Sequence, residues 1–471
     1  MPKLLLLFIK NSAPGTFVGK SSMYRKMNRR KILIAGILWF GSLIGVQAQD
    51  KQWTLEDCVN YAMSKNVNVL QSQLTTQNSE LNLEQSKANV LPSLTGSAST
   101  NFSWDKEVYT ESNNFGDRSR NNTTSFSLNA GMTVFNGLKL KNQIKQSQLN
   151  LESSQYSSET IKESLELSIL NAYLEILYAQ EALDNAQEQI AATEESLALA
   201  QERMDVGVIS RSDYLQIKSE LASEKLTEAS AKSTLSMNKL TLMQLMELPV
   251  TSDFEVETPD FTNLLATQET PVAGDVYLEA MGIKPQIKQA EVDVESQKLS
   301  EKIAKASLMP SLSLSSGLST GWSDNVSGFT YGEQLKNQFT PTVGLNLSIP
   351  IFQNKQGKIS VKQAKIATSQ AKLTQVDTQN ELRKNVEQAC LDVITAQTQY
   401  EASEMQYESA KESYDVAAEK YQEGLLNSVD FLTVKTTMIT SESDFTQAKY
   451  NMVFSSKILD FYKGIPISLT K

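Results

Sequence analysis

Apolar positions along the chain change period in a fixed order. Residues 54–89 carry Leu and Val at helical spacing among Gln, Ser and Asn and stop before Pro92, which predicts a helix over that stretch. From there the period becomes two. Leu94, Gly96, Ala98, Thr100, Phe102 and Trp104 alternate with Ser93, Thr95, Ser97, Ser99, Asn101 and Ser103, the pattern of a strand over about 93–104 with one largely apolar face and one small polar face. A polar, Asn-rich stretch at about 105–122 reads as a loop. Phe126, Leu128, Ala130, Met132 and Val134 then alternate with Ser125, Ser127, Asn129, Gly131 and Thr133, giving a second strand over about 123–135.

The helical period returns at Leu138 and lasts to Met204 with neither Pro nor Gly. Leu165, Ala172, Ala179, Ala186, Thr193 and Ala200 recur every seventh residue beside Ile169, Ile176, Leu183, Ile190, Leu197 and Met204, a coiled-coil seam with one small and one large position. A helix over 138–205 is roughly 100 Å long at about 1.5 Å per residue, too long to pack back on itself. Gly207 suits a left-handed helix stop, and a shorter helix over about 211–247 returns. Together with 54–89, stacked end to end, it matches the length of the long one.

The whole arrangement is written twice. KANVLPSL (87–94) recurs as KASLMPSL (305–312), Trp104 as Trp322, and Gly207 to Asp213 as Gly424 to Asp430, at offsets of 217 to 218. The long-helix seam recurs as Leu382, Ala389, Ala396, Ser403, Ala410 and Ala417 beside Val386, Val393, Tyr400, Tyr407, Tyr414 and Tyr421. The expected division is a first repeat over 49–250, an equatorial connector over 251–275 with Pro259 and Pro271, and a second repeat over 276–467. The second repeat should hold strands at about 311–322 and 340–351 and a helical tip near 424, with 468–471 as a tail.

Residues 27–48 have a basic start, an apolar run from Ile32 to Ile44 and a small-residue end at Ala48, so 1–48 is expected to be a signal region cleaved before Gln49. That region holds eight of the 44 Lys and Arg and none of the 54 acidic residues, leaving 36 basic to 54 acidic, net −18. So acidic a chain should not bind nucleic acid. It has no His and only two Cys, Cys58 and Cys390, read as structural thiols. Catalytic sites built on His, metal centres and cofactors are therefore not expected, and neither is an enzyme.

Soluble sandwich strands also alternate. Strands of about ten residues, aromatics near their ends, a polar second face and a secretory signal favour membrane strands. Membrane barrels begin at about eight strands, so four must be lent to an oligomer; the count alone permits two, three or four copies.

The tandem repeat, the LPSL (91–94) and MPSL (309–312) leads into strands, and the two helix–turn–helix tips resemble the TolC family of outer-membrane efflux channels across about 53–467. The tips read RMDVGVISRSD (203–213) and YQEGLLNSVD (421–430). The resemblance implies a fold that is mainly α with β: a trimer whose twelve strands form one outer-membrane barrel and whose long antiparallel helices form a periplasmic coiled-coil tunnel. It implies the exit duct of a tripartite efflux or type I secretion system, contacting outer-membrane lipid and receiving substrate through a periplasmic adaptor protein and an inner-membrane transporter. It places Tyr421, Ser212 and Asp213 in a closing network at the periplasmic mouth and Asp430 in an acidic selectivity ring. The network's basic position is Leu426 here and the ring's second acid is Thr433. Gly207, Gly424, Arg203 and Leu425 lie at the tip turns where an adaptor would touch. Each gate residue also has a packing reading: Tyr421 continues a seam, and Asp213 and Asp430 sit where a carboxylate favours a helix start. A rival of another class is a periplasmic coiled-coil adaptor or scaffold, which would have one hairpin rather than two.

Overall fold

The computed structural model describes residues 52–109, 114–250, 254–259, 261 and 270–469. The expected signal region 1–48 lies outside them, as does part of the 251–275 connector. The first copy comprises α1 (Leu55–Lys65), α2 (Val67–Ala88), β1 (Ser93–Tyr109), β2 (Asn114–Phe135), α3 (Lys139–Asp205) and α4 (Arg211–Leu245). The second comprises α5 (Ala273–Ile283), α6 (Pro285–Ala306), β3 (Ser311–Ser323), α7 (Tyr331–Asn337), β4 (Thr340–Ser348), α8 (Gln356–Gln422) and α9 (Ser428–Tyr462). Corresponding helices have identical lengths: 11 residues for α1 and α5, 22 for α2 and α6, 67 for α3 and α8, 35 for α4 and α9. The fold is mainly helical, with one small antiparallel sheet.

The single helix expected over 54–89 is two. Asn66 leaves the helical region (φ −58°, ψ 128°), its Oδ1 caps α2 by accepting from Asn68 N–H at 2.9 Å, and its Nδ2 donates to Leu245 O at 2.9 Å. The second copy breaks at Lys284, where Pro285 takes the first helical position. The expected loop at 105–122 is also shorter than its polarity suggested. β1 and β2 stay paired from Trp104↔Arg120 out to Tyr109↔Asn114, past the end of β3 at Ser323. Their hydrogen-bonded ladder continues without needing an apolar face.

The strands form one antiparallel sheet in the order β1-β2-β3-β4. Its register aligns Leu94 with Ala130, Ser316 and Val343, Gly96 with Leu128, Leu318 and Pro341, and Met132 with Leu314 and Leu345. The intervening rows are Ser97, Ser127, Ser319 and Thr340, or Thr95, Asn129, Gly317 and Thr342. Apolar side chains thus share one face and small polar ones the other, where Ser97 and Ser127 hydroxyls bond at 2.7 Å and Ser99 and Ser125 at 2.8 Å. The apolar face is bare: Leu94 is 68% exposed and Leu345 70%.

The helices continue the sheet. α2 and α4 lie end to end along one side of α3, and α6 and α9 lie end to end between α3 and α8. Between the stacked pieces each copy builds an apolar belt. In the first, Cys58 and Ala62 of α1 pack with Ile169, Tyr173 and Ile176 of α3 and with Phe254 and Phe261 of the connector. The Tyr173 hydroxyl donates to Glu257 O at 2.6 Å and Trp53 O at 3.1 Å. In the second, Val276 and Ala280 pack with Leu382, Val386 and Cys390.

Candidate functional site

The far ends of the two long helices meet in one cluster. Ala200 of α3, Ile217 of α4, Ala417 and Tyr421 of α8 and Phe431 of α9 are all buried there against one another. Each turn is closed in the same way. Gly207 (φ +78°) lets Val208 N–H donate to Arg203 O at 2.8 Å, and Gly424 (φ +77°) lets Leu425 N–H donate to Lys420 O at 2.8 Å. These are the paired bonds of a helix ended by a left-handed glycine. Ser210 then caps α4 and Asn427 caps α9.

Asp213 completes a capping box. Its Oδ2 accepts from Ser210 N–H at 3.1 Å and from the Ser210 hydroxyl at 2.8 Å. Asp430 takes the equivalent place, accepting from Asn427 Nδ2 at 2.8 Å while its own N–H donates to Asn427 Oδ1 at 2.9 Å. Both carboxylates sit at the positive ends of helices, and the Asp430 side chain is exposed. Ser212 and Leu425 are exposed as well, Leu425 at 72% beside Val206 at 75% and Val208 at 67%.

Tyr421 is buried at 4% exposure, its ring stacked on Phe431 with centroids 4.5 Å apart. Burial pushes its phenol above the usual range, with Arg203 and Ser428 opposing. Arg203 turns inward across the joint. Its Nη1 donates to Tyr421 O at 2.7 Å, its Nη2 to Gln422 O, and its guanidinium lies 5.7 Å from the Tyr421 ring. The cation that ties the tips together therefore comes from tip one, while tip two has Leu426.

Two further residues, absent from the sequence reading, lie seven and four positions up the helices from Ile217 and Phe431. Glu224 of α4 (6% exposed) and Lys435 of α9 (3% exposed) form a buried ion pair at 2.5 Å, and Lys435 Nζ also donates to Thr193 Oγ1 of α3. The pair joins α4 directly to α9 although α3 separates them along the wall. Thr193, the one polar member of its seam, was the signal for it.

A sequence model of the family described as "Outer membrane efflux protein" matches residues 59–247 and 276–464, one match per copy. The chain belongs to that family. Solved structures agree in fold. CusC matches at 17% identity with a TM-score of 0.75, covering 88% of this chain and 92% of that one. The CmeC outer membrane channel of Campylobacter jejuni matches at 21% identity and TM-score 0.73, covering 87% and 85%. VceC of Vibrio cholerae matches at 18% and 0.72, covering 87% and 96%. Among curated sequences nothing matches. The efflux protein is thus an outer-membrane exit duct of an efflux system, with its helices in the periplasm, and a passive channel rather than an enzyme. The two family matches also remove the single-hairpin adaptor reading.

Proposed function

We propose that three copies close side by side into one conduit, twelve strands in the outer membrane above a wall of twelve helix-lengths, with the tips as the regulated mouth. The supporting observation is that both layers stop at unpartnered edges on the same two sides. β1 and β4 are edge strands. Below β4, α8 exposes Ile359, Ile366 and Leu373 at 50, 59 and 70%; below β1, α2 exposes Leu70, Leu74 and Leu81 at 41, 63 and 62%. An isolated four-stranded membrane sheet would leave two rows of main-chain polar groups in lipid, at several kcal/mol each. Joining β4 to the β1 of a neighbour removes both rows and buries the two apolar stripes together.

At the mouth, the exposed Val206, Val208 and Leu425 with Gly207 and Gly424 form the docking end for a periplasmic adaptor coupled to an inner-membrane transporter. Asp430, exposed and repeated around the ring, supplies a negative potential at the narrowest point. Asp213 and Tyr421 hold the tip helices rather than face the substrate, and Ser212 is exposed beside them. The assembly is tested by a Leu74→Cys, Leu373→Cys variant, positions at similar depth below the sheet on opposite edges. Mild oxidation in the membrane should give a covalent trimer on denaturing gels; a product that stays monomeric refutes the arrangement.

A further inference from the structure

Beyond residue 48 the chain is strongly acidic, yet the first turns of α8, α6 and α3 below the sheet carry a surplus of lysine on one face. On α8, Lys358, Lys362, Lys365 and Lys372 recur at spacings of four, three and seven, one stripe of the helix, all exposed. The opposite face carries Gln356, Ser360, Gln363, Ala367, Gln370 and Thr374 and no charge. On α6, Lys298, Lys302 and Lys305 repeat the stripe, and on α3 Lys141 and Lys145. The α6 and α8 stripes converge, because Lys305, Lys365 and Lys372 all act on Glu301. The only carboxylates paired to these lysines are Glu301, 2.6 Å from Lys305, and Glu295, 2.5 Å from Lys298, among the described residues.

The hand of the wall fixes which side this stripe faces. Asn122 lies in the apolar rows of the sheet, and its main chain bonds toward β3: its carbonyl accepts from Asp324 N–H at 3.1 Å and its N–H donates to Asp324 Oδ1 at 2.7 Å. For L-residues, a side chain facing the viewer from a descending strand turns its N–H and C=O to the left. Seen from the apolar side with the helices below, β3 therefore lies left of β2, and the wall reads α8, α6, α3, α2 from left to right. α8 descends, and a right-handed helix turns clockwise seen from its start. Thr368, whose hydroxyl donates to Gln297 O of α6 at 3.2 Å, marks its right side. The lysine stripe follows a quarter-turn clockwise, which brings it to the viewer. On the ascending α6, Ser296 bonded to Asn150 of α3 at 2.7 Å marks the right side, and Lys298 and Lys302 follow by about 200° and 240°, between α8 and the viewer, while Lys305, about half a turn round, faces α8. The lysines share the side of the apolar strand face, and the neutral Gln and Ser face continues the hydroxyl-lined interior.

We infer that these lysines form a collar that binds the anionic phosphate headgroups of the periplasmic leaflet of the outer membrane. The inference rests on the outer-membrane channel reading. At about 1.5 Å per residue, all but Lys372 lie within roughly 15 Å of the helix ends, a headgroup layer plus one Debye length. The two commonest alternatives for a lysine run are served poorly here. On α2, whose Ser72 and Ser86 mark the side toward α3, the same face carries Glu80 and Glu84 beside Lys87, so the collar is a surplus of lysine and not lysine alone. A solvating face would not need that surplus in a chain of the opposite sign, and a pore lining would face inward.

The test reconstitutes the full channel into phosphatidylcholine vesicles containing spin-labelled phosphatidylglycerol or spin-labelled phosphatidylcholine and measures the motionally restricted fraction of each. Phosphatidylglycerol should be retained about fivefold more strongly for each lysine it engages. That preference should fall toward one in 1 M salt, and in a Lys298→Gln, Lys302→Gln, Lys358→Gln, Lys362→Gln variant that still inserts. Equal retention of both labels by an inserted channel overturns the collar and leaves the duct standing. A preference unchanged in the variant also overturns it, as does lysine-dependent co-sedimentation with cell-wall glycan without lipid preference. A protein that never enters the vesicles refutes the barrel itself.

Discussion

Removing one partner of the Glu224–Lys435 pair should open the mouth of the channel. Both side chains are almost fully enclosed, 2.5 Å apart, and Lys435 also bonds Thr193. Leaving either charge buried alone costs about 3–5 kcal/mol, whereas replacing both by apolar groups of similar volume is close to neutral or stabilising. Because the pair ties α4 to α9 across α3, spreading the tip helices releases it to water. Glu224→Gln then penalises only the arrangement in which the tip helices are joined. Even 3 kcal/mol, at about 1.4 kcal/mol per tenfold, shifts the closed-to-open ratio by more than a hundredfold. Single-channel recording in planar bilayers reads this directly. Glu224→Leu and Lys435→Met should each raise the time spent at high conductance, as should Glu224→Gln, and Glu224→Leu with Lys435→Met should return toward the parent. Unchanged conductance in both single variants, or a double variant whose effect is the sum of the singles, would refute the latch, since additivity means no coupling between the two positions.

Asp430→Asn keeps an oxygen to receive the Asn427 bond but removes the charge, so cation-over-anion selectivity in bilayers should fall while heat resistance of the assembly stays put. Gly207→Ala and Gly424→Ala meet no steric neighbour within 4 Å, yet each forces a side chain into a left-handed conformation. A cost of about 1–2 kcal/mol is expected at each tip, seen as faster proteolytic nicking there with the barrel intact. On the sheet, Leu345→Arg should cost about 2–4 kcal/mol in folding from denaturant into vesicles, and Ser97→Arg, on the polar face, far less. Equal costs at the two positions would mean that the faces have been assigned wrongly.

Periodicity made much of this structure legible from sequence. Alternation over 93–104 and 123–135 placed Leu94, Leu128 and Met132 on one sheet face, and the register keeps them there. The absence of Pro and Gly from 138 to 204 gave a continuous helix, observed as Lys139–Asp205. What escaped was whatever depends on a partner far along the chain. Asn66 looks like an ordinary helix residue until its amide reaches Leu245 O, 179 positions away. Arg203 reads as a surface residue at a turn, but its hydrogen bonds lie 218 and 219 positions on. Asp213 and Asp430 carried both of their readings in the sequence; geometry adds that each is engaged in its own helix cap, which a carboxylate can do while still setting the local potential.

The two copies have kept length and diverged in filling, and that divergence gives the hairpins different mechanical characters. In the second, Tyr400, Tyr407, Tyr414 and Tyr421 ladder down α8 and stack on Phe445 and Phe431 of α9 at 4.5–5.9 Å. Each such aromatic pair adds about 0.5–1.5 kcal/mol beyond burial. The same seam in the first copy holds Leu183, Ile190, Leu197 and Met204, and the position 217 residues before Phe445 is Glu228. A cleft of about 470 Å³ lies there between α3, α4 and α9, lined by Ala182, Ala186, Leu226 and Ala231 among others. Gln187 crosses to Glu228 at 3.2 Å, an exposed bond that water can replace. α8 and α9 are thus held to each other by apolar stacking, whereas α4 is held to the rest near the tip by Ile217, the Lys225–Glu194 pair at 2.8 Å and the buried Glu224. Of the two tip hairpins, the first therefore lacks the aromatic ladder of the second, and the ion pair from Glu224 to Lys435 adds a direct tie from α4 to α9.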